Sequence, residues 1–171
     1  MRKLTNALLV VALSVAMVLP VLAAPSPQAD AKAAKANATV AVADAQVQVL
    51  TAEVLDAVED VVTNATHLTN LGVSTEAKLA AAFDLKIEIP AGQTSVSVPI
   101  KVNNAKVGDY AVILHRMNNE AGTWEKVGEG FLGADMTVTG TFTSFSPVAV
   151  MVVDAAQASA AGVKAPKTGE F

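Results

Sequence analysis

Two histidines and a tight group of carboxylates are the residues of this chain best suited to act as bases, metal ligands or acid pairs. His115 closes the apolar run that begins at Tyr110, a position from which a strand presents a base or ligand; the plainer expectation is a strand-end histidine at the rim of a sheet. His67 sits near Thr66 and Thr69 in a segment expected to be a loop, far in sequence from any paired acid. Two histidines without cysteines or a close ligand motif do not make a zinc site or a nucleophile triad. Glu120, Glu125, Glu129 and Asp135 surround Gly128-Glu129-Gly130, where a calcium site at a loop rim, a glycosidase acid pair and a solvated acidic rim all fit the same residues. The EF-hand spacing is absent. Gly128, Gly130 and Gly133 lack the strand-then-helix context of a phosphate loop. No residue is therefore expected to be catalytic, to bind a cofactor or to hold a metal. Trp124, the only tryptophan, is the one possible ligand contact. It reads either as a carbohydrate-stacking platform or as the centre of the core.

The elements that must position these residues follow from periodicity. Val47, Leu50, Val54, Val58 and Val61 recur at steps of three and four, with Glu53, Asp56, Glu59 and Asp60 largely opposite, which predicts an amphipathic helix over Asp44 to Thr63. Asn64 to Gly72 reads as a loop, and Ser74 as the cap of a short helix from Thr75 to Ala82. After Phe83 the period drops to two. Leu85, Ile87 and Ile89 alternate with charges up to Pro90-Ala91-Gly92; Val96, Val98, Ile100 and Val102 alternate with small or polar residues. Pro99 cannot donate to a ladder, so its strand should lie at an edge or turn that nitrogen outward. Further strands are expected over Tyr110 to Met117, Thr123 to Val127, Met136 to Thr143 and Pro147 to Val153. Asn103-Asn104, Gly108-Asp109 and Asn118 to Gly122 supply turns, and Gly128 to Asp135 reads as a Gly-rich loop. Short strands with regular turn signals and no intervening helix predict a mainly β fold, a small antiparallel Ig-like β-sandwich preceded by an amphipathic helix. The expected core is Phe83, Leu85, Ile87, Val98, Ile100, Val112, Leu114, Trp124, Phe142, Val148 and Val150.

The 171 residues suit one modest domain with tails. The chain divides into a leader (1–23), an Ala-rich spacer (24–43), a helical segment (44–82), a β-module (83–154) and a flexible linker (155–171). The absence of cysteine excludes a disulfide framework, a thiolate zinc site, a cysteine nucleophile and the acceptor of a lipoprotein anchor. Met1-Arg2-Lys3 followed by the apolar run Ala7 to Leu22 has the form of a secretory signal peptide for signal peptidase. Cleavage is expected after Ala23, with Ala24 the less favourable alternative, and an uncleaved anchor is the competing reading. Loss of Arg2 and Lys3 with the leader leaves 10 basic against 16 acidic residues, a net charge of −6. That balance argues against nucleic acid as a partner.

Two stretches resemble known families. Ala165-Pro166-Lys167-Thr168-Gly169 resembles the sortase sorting signal of Gram-positive surface proteins, usually Leu-Pro-x-Thr-Gly, with Ala165 in the leucine place. The resemblance implies that Pro166 kinks the peptide into the transpeptidase and that the Thr168–Gly169 bond is exchanged for a bond to peptidoglycan. Such signals continue into an apolar run and a basic tail, whereas this sequence stops two residues after Gly169, so either a longer parent chain or a released protein is expected. Tyr110 to His115, Thr123 to Val127 and Phe142 to Ala149 are similar to a small β-rich module of surface-exposed proteins of Clostridia-type bacteria, over roughly Phe83 to Asp154. That resemblance implies location more than activity. Together these features lead to the expectation of an exported, cell-wall-displayed, non-catalytic adhesion-type protein with an unknown extracellular protein or glycan ligand. The alternative is a secreted carbohydrate-binding module, alone or as part of a larger glycan-active protein. Display predicts a buried Trp124; carbohydrate binding predicts an exposed one beside polar side chains.

Overall fold

The computed structural model describes residues 38–40, 46–48, 50–117, 122–145, 147–160 and 162–164. Within them the chain forms two antiparallel sheets, one of three strands and one of five, with a pair of helices against the outer face of the larger sheet. The strands are β1 (Ala38–Val40), β2 (Gln46–Gln48), β3 (Lys78–Lys86), β4 (Val96–Val102), β5 (Tyr110–Arg116), β6 (Trp124–Phe131), β7 (Thr137–Phe142) and β8 (Pro147–Val153). Helices α1 (Ala52–Thr63) and α2 (Ala65–Asn70) lie between β2 and β3, and α3 (Ala155–Ala160) follows β8. The smaller sheet runs β1-β4-β7 and the larger β2-β3-β8-β5-β6. This is the mainly β, two-sheet sandwich that the period-two pattern predicts.

Burial explains why β5 and β8 read as continuous apolar runs. Ala111, Ile113, Phe83, Leu85, Val148 and Val150 face the smaller sheet and meet Val98, Ile100, Val138 and Phe142. Val112, Leu114, Ala149 and Met151 point the opposite way, into a second cluster with Leu55, Val58, Val61, Val62 and Leu68 of the helices. Successive residues of a strand point to opposite faces, so a strand covered on both sides has no polar face to show. Val112 and Leu114 are thus core residues, but of the helix layer.

Several elements differ from the periodic reading. Gln46–Gln48, expected as the first turn of a long helix, is a strand paired with Asp84 to Lys86, and the Lys86 ammonium donates to Gln48 Oε1 at 2.9 Å. Gln46-Val47-Gln48 satisfies period two as well as the helical spacing, and the open edge of β3 decides between them. The expected loop after Asn64 contains α2, because Asn64 Oδ1 accepts from the Thr66 and His67 amides and thereby caps the helix. Gly72, at φ 67°, ends it, and the Val73 amide returns to the Leu68 carbonyl at 2.8 Å. The alanine run expected to be helical from Thr75 to Ala82 is instead strand from Lys78 onward. Ala81, Ala82 and Phe83 pair with Val150, Ala149 and Val148, and this tertiary pairing outweighs a modest helix propensity. Ser74 Oγ accepts from the Glu76 amide in a tight turn rather than capping a helix. Ile87 lies past the end of β3 and is half-buried. Ala155 to Ala160, expected to be flexible, is helical, with the Ala156 amide donating to Asp154 Oδ1. Pro99 pairs across to Thr139 but lies beyond β1, which covers only Ile100 to Val102, so its missing N–H interrupts no ladder.

The expected Gly-rich loop at 128–135 begins as strand. β6 continues through Phe131, and Gly128 packs directly on β7: a Cβ there would overlap the Thr139 carbonyl oxygen and stand 2.8 Å from Gly140 Cα. The two sheets close on each other at this point. Across the sandwich, Gly140 leaves the room that the Phe142 ring and Ile113 occupy.

Candidate functional site

His115 is the only buried polar or charged residue among the described residues, at 0% exposure, and so is not at the rim. Its ring lies edge-on to Phe142, with centroids 5.6 Å apart, on the sandwich side of β5. What allows a histidine there is its cross-strand partner, Glu125, whose Oε1 lies 2.9 Å from His115 Nδ1. An ionised carboxylate only accepts, so Nδ1 carries the proton in this pair. The histidine and acid that a hydrolase would need are therefore adjacent, but the imidazole is fully buried and only the Glu125 side chain reaches the surface.

The other carboxylates are dispersed. Glu129 accepts from the Lys126 ammonium at 2.8 Å, and that bond, reinforced by the Tyr110 hydroxyl, holds its carboxyl below the usual range despite partial burial. Burial, together with the Glu129 carboxylate, pushes the Tyr110 hydroxyl up to about 12. Asp135 Oδ1 accepts from the Thr137 amide at the start of β7. Glu120 lies outside the described residues, as do Ala23, Ala24 and the motif Ala165, Pro166, Lys167, Thr168 and Gly169. Among the described residues no three His, Cys, Asp or Glu side chains come together to hold a metal ion.

Trp124 is not the centre of the core. It begins β6 opposite Arg116, half-buried against the helix-side cluster. There it forms one wall of a cleft of about 470 Å³ between the end of the β5–β6 hairpin and the two helices. Asp60 of α1, His67 and Asn70 of α2, and Arg116 and Thr123 supply its polar lining, while Val61 and Leu71 are apolar. Two local features set this geometry. The Arg116 Nε donates to the Gly122 carbonyl at 3.2 Å, and Gly122 is in the left-handed region at φ 56°. The Asn64 cap turns the chain sharply between α1 and α2, which brings His67 back to Asp60, Nδ1 to Oδ2 at 3.8 Å. Both groups are well exposed, so this contact contributes little to stability, on the order of 0–1 kcal/mol.

The cleft mixes an acceptor-only carboxylate, a donor-only guanidinium and an amide with both capacities beside an aromatic face. His67, read as a loop residue without a role, and Asp60, read as part of a solvated helix face, meet there with Trp124. The Asn64 and Gly72 helix signals could have shown that His67 rides on a helix; nothing in the sequence shows which strand that helix faces. Comparison with protein-family models, with curated proteins and with solved structures found no match.

Proposed function

We propose that the chain is an exported, non-catalytic recognition module that holds a carbohydrate in the Trp124 cleft. The observation that carries this reading is a half-buried tryptophan forming the wall of a concave site lined by groups of mixed hydrogen-bonding character. Sugar hydroxyls donate and accept at once, and the C–H face of a pyranose ring packs on an aromatic plane, so a neutral sugar uses every part of this lining. A simple anion would meet Asp60, and a wholly apolar molecule would strand the polar groups unpaired. The signal-peptide pattern supports action outside the cytoplasm. The Ala165 to Gly169 resemblance supports display on a Gram-positive wall, with sortase and peptidoglycan as partners and adhesion as the purpose of the display.

The test is a glycan-array screen of the mature protein beside Trp124→Ala. Binding to a defined set of glycans, weakened at least tenfold by the substitution with thermal stability retained, is the expected outcome. Binding that is indifferent to Trp124, or absent, overturns the reading.

A further inference from the structure

β6 is an edge strand of the larger sheet; Trp124 at its start packs against the helix-side cluster, and the rest of the strand is half-buried or exposed. Its register with β5 pairs Trp124 with Arg116, Lys126 with Leu114, Glu129 with Val112 and Phe131 with Tyr110. Directly opposed residues share a face, so these four side chains of β6 form one row on the helix side of the sheet. A bulge makes the row possible. Between the Leu114 and Ile113 pairings β6 carries the extra residue Val127, which packs into the sandwich. Without it, strict alternation from Trp124 would bring Gly128 and Gly130 to the helix side and turn Glu129 and Phe131 inward.

The row has an aromatic station at each end. Trp124 stands at the cleft, and Phe131 meets Tyr110 edge-on with centroids 4.9 Å apart. Between them Lys126 and Glu129 form a part-exposed pair of opposite charge, 31% and 40% accessible at their side chains. The six residue steps of β5 between these stations, at about 3.3 Å each, separate them by about 20 Å.

We infer that β6 is the floor of an extended site for a linear neutral polysaccharide, with Trp124 and the Tyr110–Phe131 pair as two stacking stations and Lys126 and Glu129 as hydroxyl partners between them. This rests on the reading of the Trp124 cleft as a sugar site. The spacing excludes a mono- or disaccharide as the full ligand, because a short sugar reaches one station only. The balanced charge of the middle of the row disfavours a polyanion.

The test is calorimetric titration of the mature protein with dimer-to-hexamer ladders of cello-, chito-, xylo- and manno-oligosaccharides. Affinity is expected to rise with length, by on the order of fivefold to tenfold between dimer and hexamer, the gain from one added aromatic contact. Phe131→Leu keeps the apolar bulk but removes the ring, and should abolish that gain while leaving dimer affinity unchanged. Should Phe131→Leu not fold, Glu129→Gln on the exposed row serves in its place and should weaken the hexamer alone. Affinity that is flat with length, or a length gain that survives these substitutions while Trp124→Ala still abolishes binding, overturns the extended site and leaves the cleft standing. No binding by any ladder, or binding indifferent to Trp124→Ala, overturns the cleft reading and the extended site together.

Discussion

At the residue scale, His115 and Tyr110 are each held against a carboxylate of β6, Glu125 and Glu129. Glu125→Ala leaves the buried Nδ1 of His115 without its carboxylate, and urea unfolding should show a loss of about 1–3 kcal/mol. Glu125→Gln, which keeps an oxygen to accept, should lose less. Tyr110 is held neutral by burial and by Glu129, so its hydroxyl titrates near 12 in the fold against 10.0 free of it. The unfolded chain therefore gives up that proton first. The resulting stability is complete below pH 10 and is lost as pH rises toward 12, a decline that Tyr110→Phe should flatten in thermal unfolding across that interval. Glu129 behaves in the opposite sense. Its lowered carboxyl favours the fold above the ordinary carboxylate range, and the contribution fades as pH falls through the folded value.

At the scale of elements, β6 carries more of the molecule than its half-exposed residues suggest. One side of it presents the row from Trp124 to Phe131, and the other packs directly on the β7 backbone at Gly128. Gly128→Ala drives a methyl group into the Thr139 carbonyl, where no side chain can swing aside. Denaturant unfolding should record a loss of about 1–3 kcal/mol or more, as for other overpacked sites, whereas Gly130→Ala, with nothing within 4 Å of a new Cβ, should cost far less. This contrast was hidden in the sequence, where both glycines read as one loop. The bulge at Val127 breaks the alternation that would otherwise have extended the Thr123 to Val127 strand. Pro147 to Val153 was fully legible, because an unbroken apolar run bounded by Pro147 and Asp154 has one reading only. The strand at Gln46–Gln48 was not, since three residues satisfy both periods and only the partner strand chooses.

For the molecule as a whole, the central strands β3, β8 and β5 of the larger sheet are buried on both faces, so the helices form one of its three layers. A chain beginning at Phe83 would expose Val112, Leu114, Ala149 and Met151 and lose β1 and β2. It should show no cooperative thermal transition, while a chain of residues 38–164 should unfold cooperatively by calorimetry. The mainly β character, the positions of β4, β5, β7 and β8, the core residues Phe83, Leu85, Val98, Ile100, Phe142, Val148 and Val150, and the lack of any thiol chemistry were all determined by the sequence. They depend on local alternation and composition. The enclosure of His115, the second apolar layer and the meeting of Asp60, His67 and Asn70 with Arg116 and Trp124 were decided only by the tertiary structure. These rest on which face of one element meets which face of another across more than 50 residues of chain between His67 and Trp124. Hydrophobic periodicity says that a face is buried; it carries no record of what lies against it.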